Sequence, residues 1–319
     1  MQHLGTDLAR AASVLRSGGL VGMPTETVYG LAANALDEVA VARIFDAKNR
    51  PHFDPLIVHL ADWNDVDRVA ADVPAEARAL WAALGPAALT YVLPKRPEVP
   101  DLVTSGLDSV AVRIPQLELA RQLIASAGVP VAAPSANPFG FVSPTTAQHV
   151  ADQLADQVDY ILDGGPCSVG VESTIVSWPE GRAVVLRLGG IPVEVLADVL
   201  GYVPEVQRSS SKPSAPGMLE SHYAPGKPVV LVPQGFDWAT APRSPEVRLL
   251  AWSLGAHGLE ALTTSGSCRQ GAQRLFAALR EFAASDEQVL WMRPLEQFTE
   301  RVITSEGVVA RFTVVTPAA

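Results

Sequence analysis

The chain has 319 residues, 48% hydrophobic and 18% charged, a balance that buries a substantial core and excludes disorder. At the usual ~100–200 residues per domain its length accommodates two domains. A net charge of −10 and a pI near 5.1 exclude a broad nucleic-acid-binding face but leave room for a small cationic pocket.

In chain order, Leu4, Leu8, Ala11, Ala12 and Leu15 recur at helical spacing, with Gly18 placed to stop the helix. Asp7, Arg10 and Arg16 interrupt what a signal peptide would keep apolar. The run "GLVGMP" (19–24) predicts a strand that ends in Thr25, Glu26, Thr27, Tyr29 and Gly30. These hydroxyls either satisfy a turn's backbone or face a ligand. Asp37 caps a predicted helix to about Lys48, with Val41, Ile44 and Phe45 inward. Strands are predicted at 56–62, 89–95, 110–115, 129–136, 158–165, 173–178 and 183–190. A helix is predicted over about 116–127 with Gly128 as its stop, and 179–182 reads as a hairpin turn.

A serine- and proline-rich stretch, "QRSSSKPSAPGMLESHYAPGKP" (207–228), reads as a linker. It contains Met218, His222 and Tyr223, which suit a lid folding over a ligand better than a passive tether. Beyond it come strand-like runs at 229–233, 247–254, 288–294 and 307–315, and a helix near 268–284. The expected organisation is α/β: a mixed-sheet domain over 1–205, a linker or lid over 206–227 and a smaller α/β domain over 228–319. Cys167 and Cys268 supply neither a disulfide framework nor a four-thiolate zinc site, so a reducing cytoplasm is the expected location. No run reaches the ~18 apolar residues of a membrane span.

Common chemistries are missing. Gly165-x4-Gly170 is followed by Val171 and Glu172 where a P-loop needs Lys and Ser/Thr. There is no G-x-G-x-x-G after a strand, no H-E-x-x-H and no G-x-S-x-G, and the six histidines are scattered. What remains is a set of polar residues at strand ends. Lys48 and Arg50 close a helix, where the macrodipole alone favours cations. Asp54 follows, and His59 lies in an apolar strand, where a purely structural role is the competing reading. Arg113 interrupts "DSVAVRIP", so it needs an anion: a bound carboxylate or phosphate, or one of the chain's own acids. Ser135, Asn137 and Ser143 crowd a loop after a strand, and Glu172, Ser173, Thr174 and Arg187 sit in a late strand pair. Together these cations and hydroxyls suit a phosphate-rich ligand beside a smaller polar one. With no evident nucleophile, catalysis would rest on positioning and charge stabilisation.

The motifs "GGLVGMPTETVYGLAANAL", "KNRPHFDPLIVHL", "SVAVRIP", "AAPSANPFGFVSPT", "DGGPCSVGVESTIV" and "LRLGGI" occur in the order seen in the YrdC-like family. The linker "APGMLESHYAP" and the small domain after it resemble the long, two-domain threonylcarbamoyl-AMP synthases. The resemblance implies a YrdC-like twisted mixed sheet with flanking helices and a ligand cleft, plus a smaller Rossmann-like C-terminal domain. It implies synthesis of threonylcarbamoyl-adenylate from L-threonine, bicarbonate (or CO2) and ATP with Mg2+, releasing pyrophosphate. The product would pass to the tRNA threonylcarbamoyl transferase complex for N6-threonylcarbamoyladenosine modification, with little direct tRNA binding and no membrane.

Carried over, the threonine pocket would be Thr25, His59, Arg113, the backbone of Ala133, and Ser173. The ATP side would be Arg50, Asp54, Ser109, Ser135, Ser143, Arg187 and Tyr223, with Lys48 and Arg50 as catalytic cations and no protein-held metal. Asp54 departs from the family's frequent Asn and Leu188 from its usual Pro. An RNA-binding module and a carbamoyltransferase-type domain are the alternatives. The acidic balance counts against the first, and two isolated cysteines against the zinc motifs of the second.

Overall fold

The computed structural model describes residues 3–207, 224–231, 237–253, 259–263 and 268–292. The first sheet is built from β1 (Leu4–Gly5), β2 (Val21–Met23), β3 (Gly30–Asn34), β4 (Ile57–His59), β5 (Leu89–Pro94), β6 (Ser109–Arg113), β7 (Val131–Ala132), β8 (Tyr160–Leu162), β9 (Thr174–Ser177), β10 (Val184–Arg187) and β11 (Glu205–Val206). Their order in space is β1-β8-β2-β3-β7-β4-β6-β5-β9-β10-β11, with parallel and antiparallel pairs mixed. Helices α1 (Leu8–Arg16), α2 (Glu38–Lys48), α3 (Ala75–Leu84), α4 (Asp101–Thr104), α5 (Glu118–Ala127), α6 (Ala147–Leu154) and α7 (Val193–Leu200) accompany it. A second, all-parallel sheet of β12 (Val229–Leu231), β13 (Val247–Ser253), β14 (Glu260–Thr263) and β15 (Val289–Met292) runs in the order β12-β15-β13-β14, with α8 (Cys268–Ala284).

Local chemistry explains several boundaries. The Asp37 side chain accepts from the Val39 and Ala40 amides, capping α2, and Asn49 ends that helix in the left-handed region (φ 50°) that Asn tolerates. The chain turns back there, and the Arg50 amide bonds the Phe45 carbonyl. Gly128 (φ 73°) stops α5. Ala11, Ala12 and Leu15 of α1 pack with Ala120, Leu123, Ile124 and Ala127 of α5 in one cluster.

The structure corrects the sequence reading in places. Leu4 is not helical: Asp7 accepts from the Arg10 amide and starts α1 at Leu8, so Leu4 pairs instead with Ile161 of β8. The polar turn after β2 is a hairpin that returns as β3, an unforeseen strand. Its Gly30, Ala32 and Ala33 have weak strand preference, and burial holds them there. β14 was likewise unforeseen. The predicted strand at 307–315 and the Met218, His222 and Tyr223 lid lie outside the described residues.

Candidate active site

Strands β4, β6, β5, β9 and β10 lie side by side, and the period-2 alternation divides them into two faces. One face presents Val58, Tyr91, Val112, Val176 and Val185 to the main core. On the other, His59 is in register with Arg113 and Arg113 with Thr90. The Thr90 hydroxyl lies 2.8 Å from that of Ser173. Arg187 donates through Nε to the Ser173 carbonyl and through Nη2 to its hydroxyl, each at 3.0 Å. A polar row His59–Arg113–Thr90–Ser173–Arg187 thus runs across β4, β6, β5 and β10, with Ser173 immediately before β9. Farther along the same strands, Ile57, Ala111, Ile175 and Leu186 form a small apolar cluster with Val92 against it. Ser109, half-buried, is four residues from Arg113 on the same face of β6, about 13 Å away at ~3.3 Å per residue.

Arg113 is buried and held by the hairpin. Its Nη2 meets Glu26 Oε1 at 2.6 Å and its Nη1 donates to Thr27 Oγ1 at 2.8 Å. Thr25 Oγ1 donates to the Val28 carbonyl (2.6 Å), lies 2.9 Å from Thr27 Oγ1, and so fixes the residue that fixes Arg113. Arg113 Nε has no hydrogen-bond partner among the described residues. Although burial works to raise the Glu26 carboxyl pKa, the Arg113 guanidinium holds it below the ordinary carboxylate value. Beside Arg113, burial first and that guanidinium second push the His59 pKa down to about 3, so its ring is neutral at neutral pH. The Ala133 amide is already used by the Ile57 carbonyl.

A second cluster surrounds Lys48. Its Nζ donates to the carbonyls of Ser135 and Asn137. Burial, then the Arg50 charge, lower its pKa well below the ordinary lysine value. Arg50 donates to the Asp54 and Pro55 carbonyls, and its Nη2 is 2.8 Å from Asp54 Oδ2. That approach is an ion pair without hydrogen-bond alignment, so neither oxygen of the fully buried Asp54 accepts a hydrogen bond among the described residues. Burial raises the Asp54 pKa, opposed by Arg50, Lys48 and Arg187. The Ser143 hydroxyl donates to Glu172 Oε1 (2.7 Å), and Glu172 Oε2 is 3.9 Å from Arg187. Lys48, Arg50 and Arg187 against Asp54 and Glu172 leave one surplus positive charge, which suits phosphate. No group of three or more His, Cys, Asp or Glu side chains forms a metal cage among the described residues.

The site therefore gathers Thr25, His59, Arg113, Ala133 and Ser173 at one end of the sheet face. Lys48, Arg50, Asp54, Ser135, Ser143 and Arg187 stand around the loops beside it, and Ser109 lies at the far end of β6. Tyr223 lies outside the described residues. Sequence reading did not single out Glu26 as the partner of Arg113, nor Thr90. Thr90 interrupts the apolar "ALTYVL" as Arg113 does "VAVRIP", a signal of the same kind.

Residues 13–189 match the Sua5–YciO–YrdC family model, described as telomere recombination. Residues 191–307 match the model described as threonylcarbamoyl-AMP synthase, C-terminal domain. The chain belongs to the Sua5–YciO–YrdC family. It is 48% identical over 226 residues to the threonylcarbamoyl-AMP synthase of Pyrococcus abyssi and 44% identical over 228 residues to that of Bacillus subtilis. Each match covers 70% of this chain and spans 66% of the relative's length. The crystal structure of P. abyssi Sua5 complexed with L-threonine superposes with a TM-score of 0.82 at 38% identity, covering 91% of this chain and 89% of that one. E. coli YciO, at 22% identity and a TM-score of 0.53, shares the fold with this family member. No helix among the described residues is long and apolar enough to cross a membrane.

Proposed function

We propose that this chain is a threonylcarbamoyl-AMP synthase, joining L-threonine, bicarbonate and ATP into threonylcarbamoyl-adenylate with release of pyrophosphate and water. The observation that carries the reading is the sheet face itself. A buried arginine with an unpartnered Nε stands at one end, an apolar patch lies farther along, and a cation-rich cluster flanks both. Threonine's carboxylate would meet the free edge of Arg113, already oriented by Glu26 and Thr27. His59, Ser173, Thr25 and the Ala133 backbone surround that end, and the neutral His59 ring adds no charge against the ammonium. The apolar patch receives the adenine, with Ser109 beyond it. Lys48, Arg50, Ser135, Ser143 and Arg187 take the phosphates.

Bicarbonate takes the proton of the threonine ammonium and splits into CO2 and water; the free amine adds to the CO2 carbon and loses a proton to solvent, giving a carbamate. A carbamate oxygen attacks the α-phosphorus, the bond to the β-phosphate oxygen breaks, and pyrophosphate leaves. The cations stabilise charge accumulating on the phosphates, so rate comes from positioning and electrostatics. Mg2+ fits as a passenger of ATP, held by phosphates and at most one protein carboxylate, Asp54, as is usual for this ion. When bound it offsets phosphate charge. The P. abyssi structure with L-threonine supports the amino-acid end. In the cell the product would supply a tRNA threonylcarbamoyl transfer step. Pyrophosphate release from ATP should require both L-threonine and bicarbonate; equal turnover with threonine omitted refutes the synthase reading.

A further inference from the structure

Helix α8 of the second domain seats on two loops of the first. Arg280 donates through Nε to the Ser143 carbonyl (3.0 Å) and through Nη2 to the Val142 carbonyl (2.6 Å) and Gln153 Oε1 (2.8 Å). Val28 and Val142 complete an apolar cluster whose other members include Leu275, Phe276, Leu279 and Phe282. About two helical turns earlier, Gln273 packs so closely on Gly170 that a Cβ there would fall 2.6 Å from the Gln273 Cα. Gln273 Nε2 also reaches the Cys167 carbonyl at 3.4 Å. Arg280 has no ion-pair partner among the described residues, and burial lowers its pKa to about 10. Half-buried, with the Asp152 carboxylate the one charge opposing that shift, this guanidinium places two of its donors on the backbone of one loop and also reaches the Gln153 side chain of α6.

That loop carries Ser143, whose hydroxyl holds Glu172 beside Arg187. We propose that Arg280 is a positioning residue for the nucleotide end of the site, acting through Ser143 and Glu172 on Arg187. It couples the second domain to the first without touching substrate. This rests on the synthase reading for its kinetic consequence, but not for its structural one.

The test uses the full chain with Arg280→Met. Amide hydrogen exchange over 140–146 should accelerate about tenfold while β4–β6 stay as protected as before, because two charge-assisted hydrogen bonds to that loop are lost. The KM for ATP should rise about tenfold with that for threonine within about twofold. Arg280→Lys, keeping the charge and some donors, should recover part of both effects, and Gln153→Ala should leave both near the parent. Unchanged exchange at 140–146 overturns the clamp. A global loss of protection, or both KM values rising together, reduces Arg280 to ordinary domain packing and also overturns it. Faster loop exchange with ATP affinity unmoved overturns the link to the nucleotide. A parent chain that makes no adenylate refutes the synthase reading instead, and the exchange result still decides the clamp.

Discussion

Replacing Glu26 with Gln removes the carboxylate paired with the buried Arg113 guanidinium while keeping an oxygen of similar shape. The two side chains are 4% and 2% exposed and 2.6 Å apart, so the charge left behind has little water to turn to. Breaking a buried pair from one side costs about 3–5 kcal/mol, and the amide oxygen that remains places this variant near the lower end. For a domain of roughly 200 residues, about 3 kcal/mol lowers the melting temperature by about 6–12 °C, at ~2–4 °C per kcal/mol. Saturating L-threonine should recover much of that loss, because its carboxylate becomes the counter-anion of Arg113. Ligand at a hundredfold its Kd contributes about 2.7 kcal/mol. Thermal melts of parent and E26Q with and without threonine measure both effects. A melting temperature within about 1 °C of the parent, or a loss that threonine does not lessen, refutes the placement of Arg113 as a buried cation shared between Glu26 and substrate.

Arg113→Lys should raise the threonine KM about tenfold or more with the ATP KM within about twofold, since a point charge cannot make the forked carboxylate contact; steady-state kinetics in each substrate decide it, and a defect confined to ATP reassigns the residue. Acidification should destabilise the fold through His59. Its folded pKa of about 3 lies below the ~6.5 of an unfolded histidine, so the unfolded state takes the proton first. The stabilisation is complete above about pH 6.5 and is lost as pH falls toward 3, by about 2 kcal/mol at pH 5 at ~1.4 kcal/mol per unit. Urea melts at pH 7 and pH 5 should show a drop that His59→Asn lessens, with His149, its pKa lowered by burial to about 4, supplying part of the remainder; an equal drop in the variant contradicts the assignment.

Local signals carried much of the fold into the sequence: the Asp37 cap, the Gly128 stop and the 179–182 turn each act within a few residues of themselves. Arg113 was conspicuous for the same reason, as a charge amid small apolar neighbours. Its counter-ion was not, because Glu26 is 87 positions away and sits in a turn whose return strand, with Gly30, Ala32 and Ala33, has weak strand preference. The Arg280 contact joins residues 137 apart across two domains, and only the packing of α8 reveals it. Leu4 misled because the helical spacing extends upstream of the Asp7 cap that starts the helix. Long-range pairing, rather than local pattern, organises the polar row.

Mass spectrometry of the product formed from ATP, L-threonine and ¹³C-bicarbonate tests the central claim most directly. The account predicts one adenylate that contains the threonine skeleton and a single labelled carbon, formed together with an equal amount of pyrophosphate. Conversion of ATP to AMP or ADP with no labelled, threonine-containing adenylate would contradict it.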